Sequence, residues 1–166
     1  MHSVSQRANL IVCFGGVVLF GVLLLNVLSR SFFPDHIDVN LTGSTIKFVK
    51  RNPVELAQVH MSLQADLTPL FNWNTKQLFL YITAEYQTKE TVVSQVVLWD
   101  YILKDKSKAV LKEKDLIKYL LIDHSGDLRG QNVTLTFNYN VIPISGLITR
   151  HKEGSYSFKM PTEYIN

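Results

Sequence analysis

The sequence predicts a mainly β protein: a single N-terminal transmembrane helix followed by an antiparallel β-sandwich. Three observations carry that prediction. Residues 10–28 read LIVCFGGVVLFGVLLLNVL, nineteen residues without a charge. Val59 to Leu67 and Val133 to Val141 alternate apolar and polar side chains without a break, the period of a strand with one buried face. After residue 30 there is no long helical period, only runs of β-formers separated by short polar stretches.

The apolar run comes first. As a helix it extends roughly 28 Å at about 1.5 Å per residue, close to the hydrocarbon thickness of a bilayer. Arg7 and Arg30 bracket it, placed to reach the two interfaces, and Asn26 falls near its end. Its glycines, Gly15, Gly16 and Gly21, are not four apart, so no GxxxG pairing face is present. The competing reading is a cleaved signal peptide cut after Ser31. An apolar run of this length exceeds the roughly 7–15 residues usual for a signal peptide and favours a retained anchor. The expected boundaries are a short lead at 1–9, the span at 10–28, a stalk at 29–44 and the sandwich at 45–166.

Within the stalk, Phe32, Phe33 and Pro34 suit a membrane interface. Ile46 and Phe48 begin an alternation, and Val59 to Leu67 is the clearest strand. Pro69 to Gln77 offers at most a turn of helix. Leu78 to Tyr86 and Thr91 to Leu103 are strands joined by a polar turn. Lys104 to Lys118, where six lysines interleave with Asp105, Glu113 and Asp115, reads as a solvated loop or hairpin. Lys118 to Ile122 is a further strand, and Asp123 to Gln131 a turn leading into Val133 to Val141. Tyr156, Phe158 and Met160 close the sandwich with a short strand.

Charge excludes some functions. Of 17 Lys and Arg, two lie in the first thirty residues with no acid, leaving 15 against 14 Asp and Glu in the remaining 136. The basic balance therefore owes much to the anchor, and no basic cluster suggests nucleic acid. Cys13 is the one cysteine, so no intrachain disulfide or cysteine-rich zinc site can form.

Catalytic candidates fail on context. Ser44-Thr45-Ile46-Lys47 matches S-x-x-K, but its partner motifs are absent and Ser44 precedes a strand. His36, His60, His124 and His151 have no metal-ligand spacing. Asp123, His124 and Ser125 are sequential neighbours and read as turn chemistry, because a working triad needs geometry that adjacent residues rarely give. The residues call for no cofactor. They describe a tethered binding or assembly module, with a membrane-anchored enzyme using His124 or His151 and a free-standing lectin or chaperone as the rivals.

Charge leaves the orientation open, since arginines flank both ends of the span. The tripeptides Asn132-Val133-Thr134 and Asn40-Leu41-Thr42 fit glycosylation acceptors and favour a domain outside the cytosol. Asn40 lies only twelve residues past Leu28, close to the membrane.

The run LFNWNTKQLFLYITAEY (70–86), followed by QVVLWD (95–100), resembles the 22/23-kilodalton subunit family of the eukaryotic signal peptidase complex, also called subunit 3. The single N-terminal span, the Ala65-Asp66-Leu67 strand end and the Asn132 sequon match in the same order. The resemblance implies a single-pass type II protein of the endoplasmic reticulum membrane, with a cytosolic N-terminus and a lumenal β-sandwich. It implies a non-catalytic subunit that assembles with a catalytic signal peptidase subunit of serine-protease type and other small membrane subunits. It also implies Asn132 as the glycan site. Trp73, Val96, Leu98 and Trp99, from the longest apolar runs, are the expected partner face, the alternative being that they fill the core.

Overall fold

The computed structural model of the chain describes residues 3–33, 36–89 and 91–165. Residues 1 and 2 of the expected lead, 34 and 35 of the expected stalk and 90 of the expected polar turn lie outside these. The first element, α1 (Val4–Ser29), starts six residues before the apolar run because Ser3 caps it. The Ser3 hydroxyl accepts from the Gln6 amide while the Gln6 side chain accepts from the Ser3 amide, a reciprocal capping box that satisfies two of the free donors at a helix start. None of the residues of α1 is buried by the rest of the chain, although it is apolar on every side. A helix of that kind is stable where lipid supplies the apolar surroundings.

The sandwich follows. One sheet holds β1 (Val39–Arg51), β2 (Val54–Asp66), β5 (Val110–Leu116) and the short β6 (Leu121–Asp123), with β1, β5 and β6 all paired to β2. The other holds β3 (Thr75–Tyr86), β4 (Ser94–Leu103), β7 (Asn132–Pro143) and β8 (Thr149–Lys159), in the order β4-β3-β7-β8. All pairings are antiparallel. The central strands supply the core. Ala57, Val59, Met61 and Leu63 of β2 face Leu78, Leu80, Ile82 and Ala84 of β3 and Val133, Leu135, Phe137 and Tyr139 of β7, all fully buried. Period-two sequence therefore becomes two apolar faces pressed together, each sheet leaving its other face toward water.

The sandwich begins earlier and its edges run longer than the sequence suggests. β1 starts at Val39, inside the segment expected to be stalk. Its inward row reads Val39, Leu41, Gly43, and the glycine interrupts the apolar alternation. That glycine is required, because a Cβ there would stand 2.5 Å from Leu135 Cδ1 of the facing sheet. β5 draws half of the lysine-rich segment into the sheet, burying Leu111 while Lys112, Glu113 and Lys114 stay in water. β8 extends back to Thr149, twice the length read from Tyr156 onward, with a register shift opposite Thr136 and Phe137. Edge strands bury little of either face, so their sequences carry a weak alternation. The chain end is fastened too: Phe48 and Ile165 exchange backbone hydrogen bonds of 2.8 Å, and the Phe48 ring lies 5.1 Å from that of Tyr164.

Candidate functional site

α1 and the sandwich meet at a defined junction. Ser145, in the β7–β8 turn, donates its hydroxyl to Asn26 Oδ1 of α1 at 2.8 Å. The Asn74 side chain holds the same serine from the other side, accepting from its amide at 3.0 Å and donating to its carbonyl at 2.9 Å. One turn further along the chain, Arg30 Nη2 donates to the Thr149 hydroxyl at 2.7 Å. Asn74 is nearly fully buried, so this polar chain is sheltered from competing water. The sequence marks Asn26 only as a polar residue near the end of the span, and Asn74 carries no signal of its own.

The expected partner residues do not share one surface. Trp73 stands free in the loop before β3, 54% exposed. Val96 is half-buried against the core, whereas Leu98 and Trp99 are both buried, at 0% and 8% exposure. The cause is a register shift: Ile82 pairs with Trp99 and Thr83 with Val97, leaving Leu98 as an extra residue. A bulge of this kind turns two successive side chains toward the inside. What β4 does present to solvent is Val97, Tyr101 and Ile102. Trp99 and Tyr101 stack at 6.1 Å and line a cleft of about 470 Å³ with Lys108, Val110 and Leu116, between the edges of the two sheets. The backbone edge of β4 is occupied at Leu98, whose carbonyl accepts from the Tyr119 amide at 3.0 Å. Lys118 secures that segment by donating to Asp100 Oδ1 at 2.8 Å, and this bond holds the Asp100 carboxyl below its usual range.

Asn132 is exposed at the start of β7, at the end opposite the junction, roughly 37 Å from Pro143 at about 3.4 Å per residue. Asn40 is also exposed but lies in β1, paired with Gln64.

The polar clusters serve the fold. Asp123 is buried; its Oδ2 accepts from the Ser125 hydroxyl at 2.7 Å and the Asp127 amide at 3.2 Å, and its Oδ1 from the Tyr86 hydroxyl at 3.3 Å. Ser125 thus donates to the Asp123 carboxylate rather than to the neighbouring His124. Glu55 is a site that sequence reasoning passed over. It is fully buried and accepts from the Tyr164 hydroxyl at 2.6 Å and the Leu128 amide at 2.8 Å, with Arg129 Nε at 3.4 Å. Its signal was available: Glu55 sits in phase with Ala57, Val59 and Met61 on the inward row of β2. Of the histidines, His60 pairs with Asp115, His36 with Glu153 at 2.6 Å, and His151 stacks on Tyr139 at 5.0 Å. Ser44 lies within β1 and opens no helix. Among the described residues no group of three His, Cys, Asp or Glu is placed to hold a metal.

Comparison with known proteins adds the family. The family model described as "Signal peptidase subunit" matches residues 1–163. The chain belongs to the signal peptidase subunit family. Relatives of the same kind are similar over nearly their whole length. "Signal peptidase complex subunit 3" of Dictyostelium discoideum is 58% identical over 166 residues, covering 99% of this chain and 98% of that one. Those of Drosophila melanogaster and Homo sapiens are 37% and 35% identical, covering 99% and 89% of this chain and 97% and 87% of theirs. The resemblance carried by residues 70–86 and 95–100 is therefore borne out. In this member of the signal peptidase subunit family, that motif builds β3, the bulged half of β4 and the Trp73–Asn74 loop.

Burial of Tyr86, with the negative charge of Asp123 beside it, raises its hydroxyl pKa to about 12. An unfolded tyrosine ionises near pH 10, so the folded state is favoured fully below that value and loses this advantage as pH rises toward 12. Titration of tyrosinate absorbance is expected to show a late-ionising component that shrinks by one tyrosine in Tyr86→Phe. Loss of stability above pH 10 should be shallower in that variant.

Proposed function

We propose that this chain is a non-catalytic accessory subunit of the endoplasmic reticulum signal peptidase complex. It crosses the membrane once with its N-terminus cytosolic and its sandwich lumenal. Removal of signal peptides belongs to a serine-protease subunit with which it assembles, alongside other small membrane subunits. The observation that carries this reading is the junction. A helix bonded through Asn26 and Arg30 to the sandwich fixes the height of the domain above the bilayer, as an assembly scaffold requires. Family membership supplies the complex in which that scaffold works. The polar clusters support the absence of chemistry, since Glu55 and Asp123 spend their oxygens on hydrogen bonds within the fold.

For the partner surface, the exposed side chains flanking the expected one are the better contacts. Val97 and Ile102 project from β4, and Trp73 stands free beside the junction. Leu98 and Trp99 would then act from beneath, by shaping the bulge that presents them. Val97→Lys combined with Ile102→Lys is expected to leave the fold intact and to reduce co-purification of a membrane serine protease from gently solubilised membranes. A folded double variant that retains its partners in full would remove β4 from the interface.

Asn132 is the proposed glycan site, exposed at the far end from the membrane. In sealed microsomes the domain should resist added protease, and endoglycosidase should shift the wild-type chain but not Asn132→Gln. Digestion of the domain from outside would reverse the orientation.

A further inference from the structure

The β7–β8 turn reads Ile144-Ser145-Gly146-Leu147-Ile148, and its three aliphatic side chains are 69%, 85% and 63% exposed. Turns at strand ends ordinarily carry polar residues, because they project into water. This one is built to hold a tight apolar tip: Gly146 has φ +105, a conformation other residues rarely adopt. Trp73 belongs to the same end, since the Asn74 carbonyl beside it accepts from the Ile144 amide at 2.7 Å.

Position decides what this tip meets. Ser145 is bonded to Asn26, and a Cβ on Gly146 would touch Val27 at 3.4 Å. Arg30 reaches Thr149 at the start of β8. The tip is therefore level with the last turn of α1, where the apolar run ends and a spanning helix leaves the hydrocarbon. Phe32, 88% exposed, follows two residues after Arg30. Tryptophan, phenylalanine and arginine with aliphatic neighbours make up the composition of a membrane interface, where apolar atoms enter the acyl boundary and polar tips stay among headgroups. Exposed apolar side chains elsewhere do not share this setting. Val92 and Val93 are comparably bare but sit in the β3–β4 turn, at the opposite end of the sheet.

We propose that the Ile144–Ile148 tip, with Trp73, dips into the interfacial layer of the leaflet from which α1 emerges, giving the sandwich a second membrane contact. Two attachments fix a tilt that one helix leaves free. The inference rests on α1 crossing the bilayer and on no other part of the proposed function.

The test uses the full chain reconstituted in liposomes, labelled at single cysteines with an environment-sensitive fluorophore. Leu147→Cys and Val92→Cys are each made with Cys13→Ala, and the unsubstituted chain is labelled at its own Cys13. Lipids spin-labelled near the headgroup are expected to quench most of the emission at position 147 and to leave position 92 unchanged. If position 147 behaves like position 92 while Cys13 is quenched by spin-labelled chains, the second contact is overturned and the span stands. Should Cys13 also escape quenching, both the span and the tip contact fall. A label at 147 shielded from aqueous iodide yet untouched by spin-labelled lipid would mean that protein covers the tip, which equally overturns the proposal.

Discussion

The hydrogen-bonded chain from Asn26 through Ser145 to Asn74 is the constraint on which the arrangement of this molecule depends. No residue of α1 is fully buried by its own chain, so polar contacts at its end, with Arg30 to Thr149 beside them, hold its direction relative to the sandwich. Asn26 is costly within a span unless partnered. Ser145 provides the partner, and the buried Asn74 holds Ser145 by both backbone groups. The same contact ties the turn between β7 and β8 to the loop before β3, so the two halves of the β4-β3-β7-β8 sheet, β3 with β4 and β7 with β8, are aligned beside the last turn of α1. The opposite end, with Asn132 and the β3–β4 turn, is correspondingly far from it.

Above the junction the domain obeys a simpler rule. Two sheets bury their alternating faces, and the central strands β2, β3 and β7 hold most of the core. Of these, β2 and β7 were legible because one buried and one wet face impose a strict period of two, and β3 because it is a run of β-formers. The edges were not. In β1 the alternation is broken by Gly43, whose missing side chain makes room for Leu135. In β5 charged residues occupy the solvent side of a strand with few inward positions, so the pattern reads as loop. β8 buries so little that its first half left no apolar signature.

The candidate site was legible in part, for similar reasons. The family signature could be read directly and Trp73 could be named as a candidate, but its exposure could not, and the fate of Leu98 and Trp99 turned on a bulge that only pairing with β3 reveals. A bulge changes which face each residue takes, and no local pattern records it. Asp123 could be read as turn chemistry because short polar residues bond to nearby amides. Glu55 could not be assigned a role, since its partners Leu128, Arg129 and Tyr164 come from distant parts of the chain.

If the junction is the organising contact, helix and sandwich move as one body in a bilayer. Spin labels at Leu28→Cys and Leu147→Cys, with Cys13→Ala, measure this directly by dipolar coupling in reconstituted liposomes. The account predicts a single short separation with a narrow distribution, broadened when Asn26→Ala and Arg30→Ala remove the bonds. A broad distribution in the otherwise unaltered chain would show that the sandwich swings freely on its anchor and would contradict it.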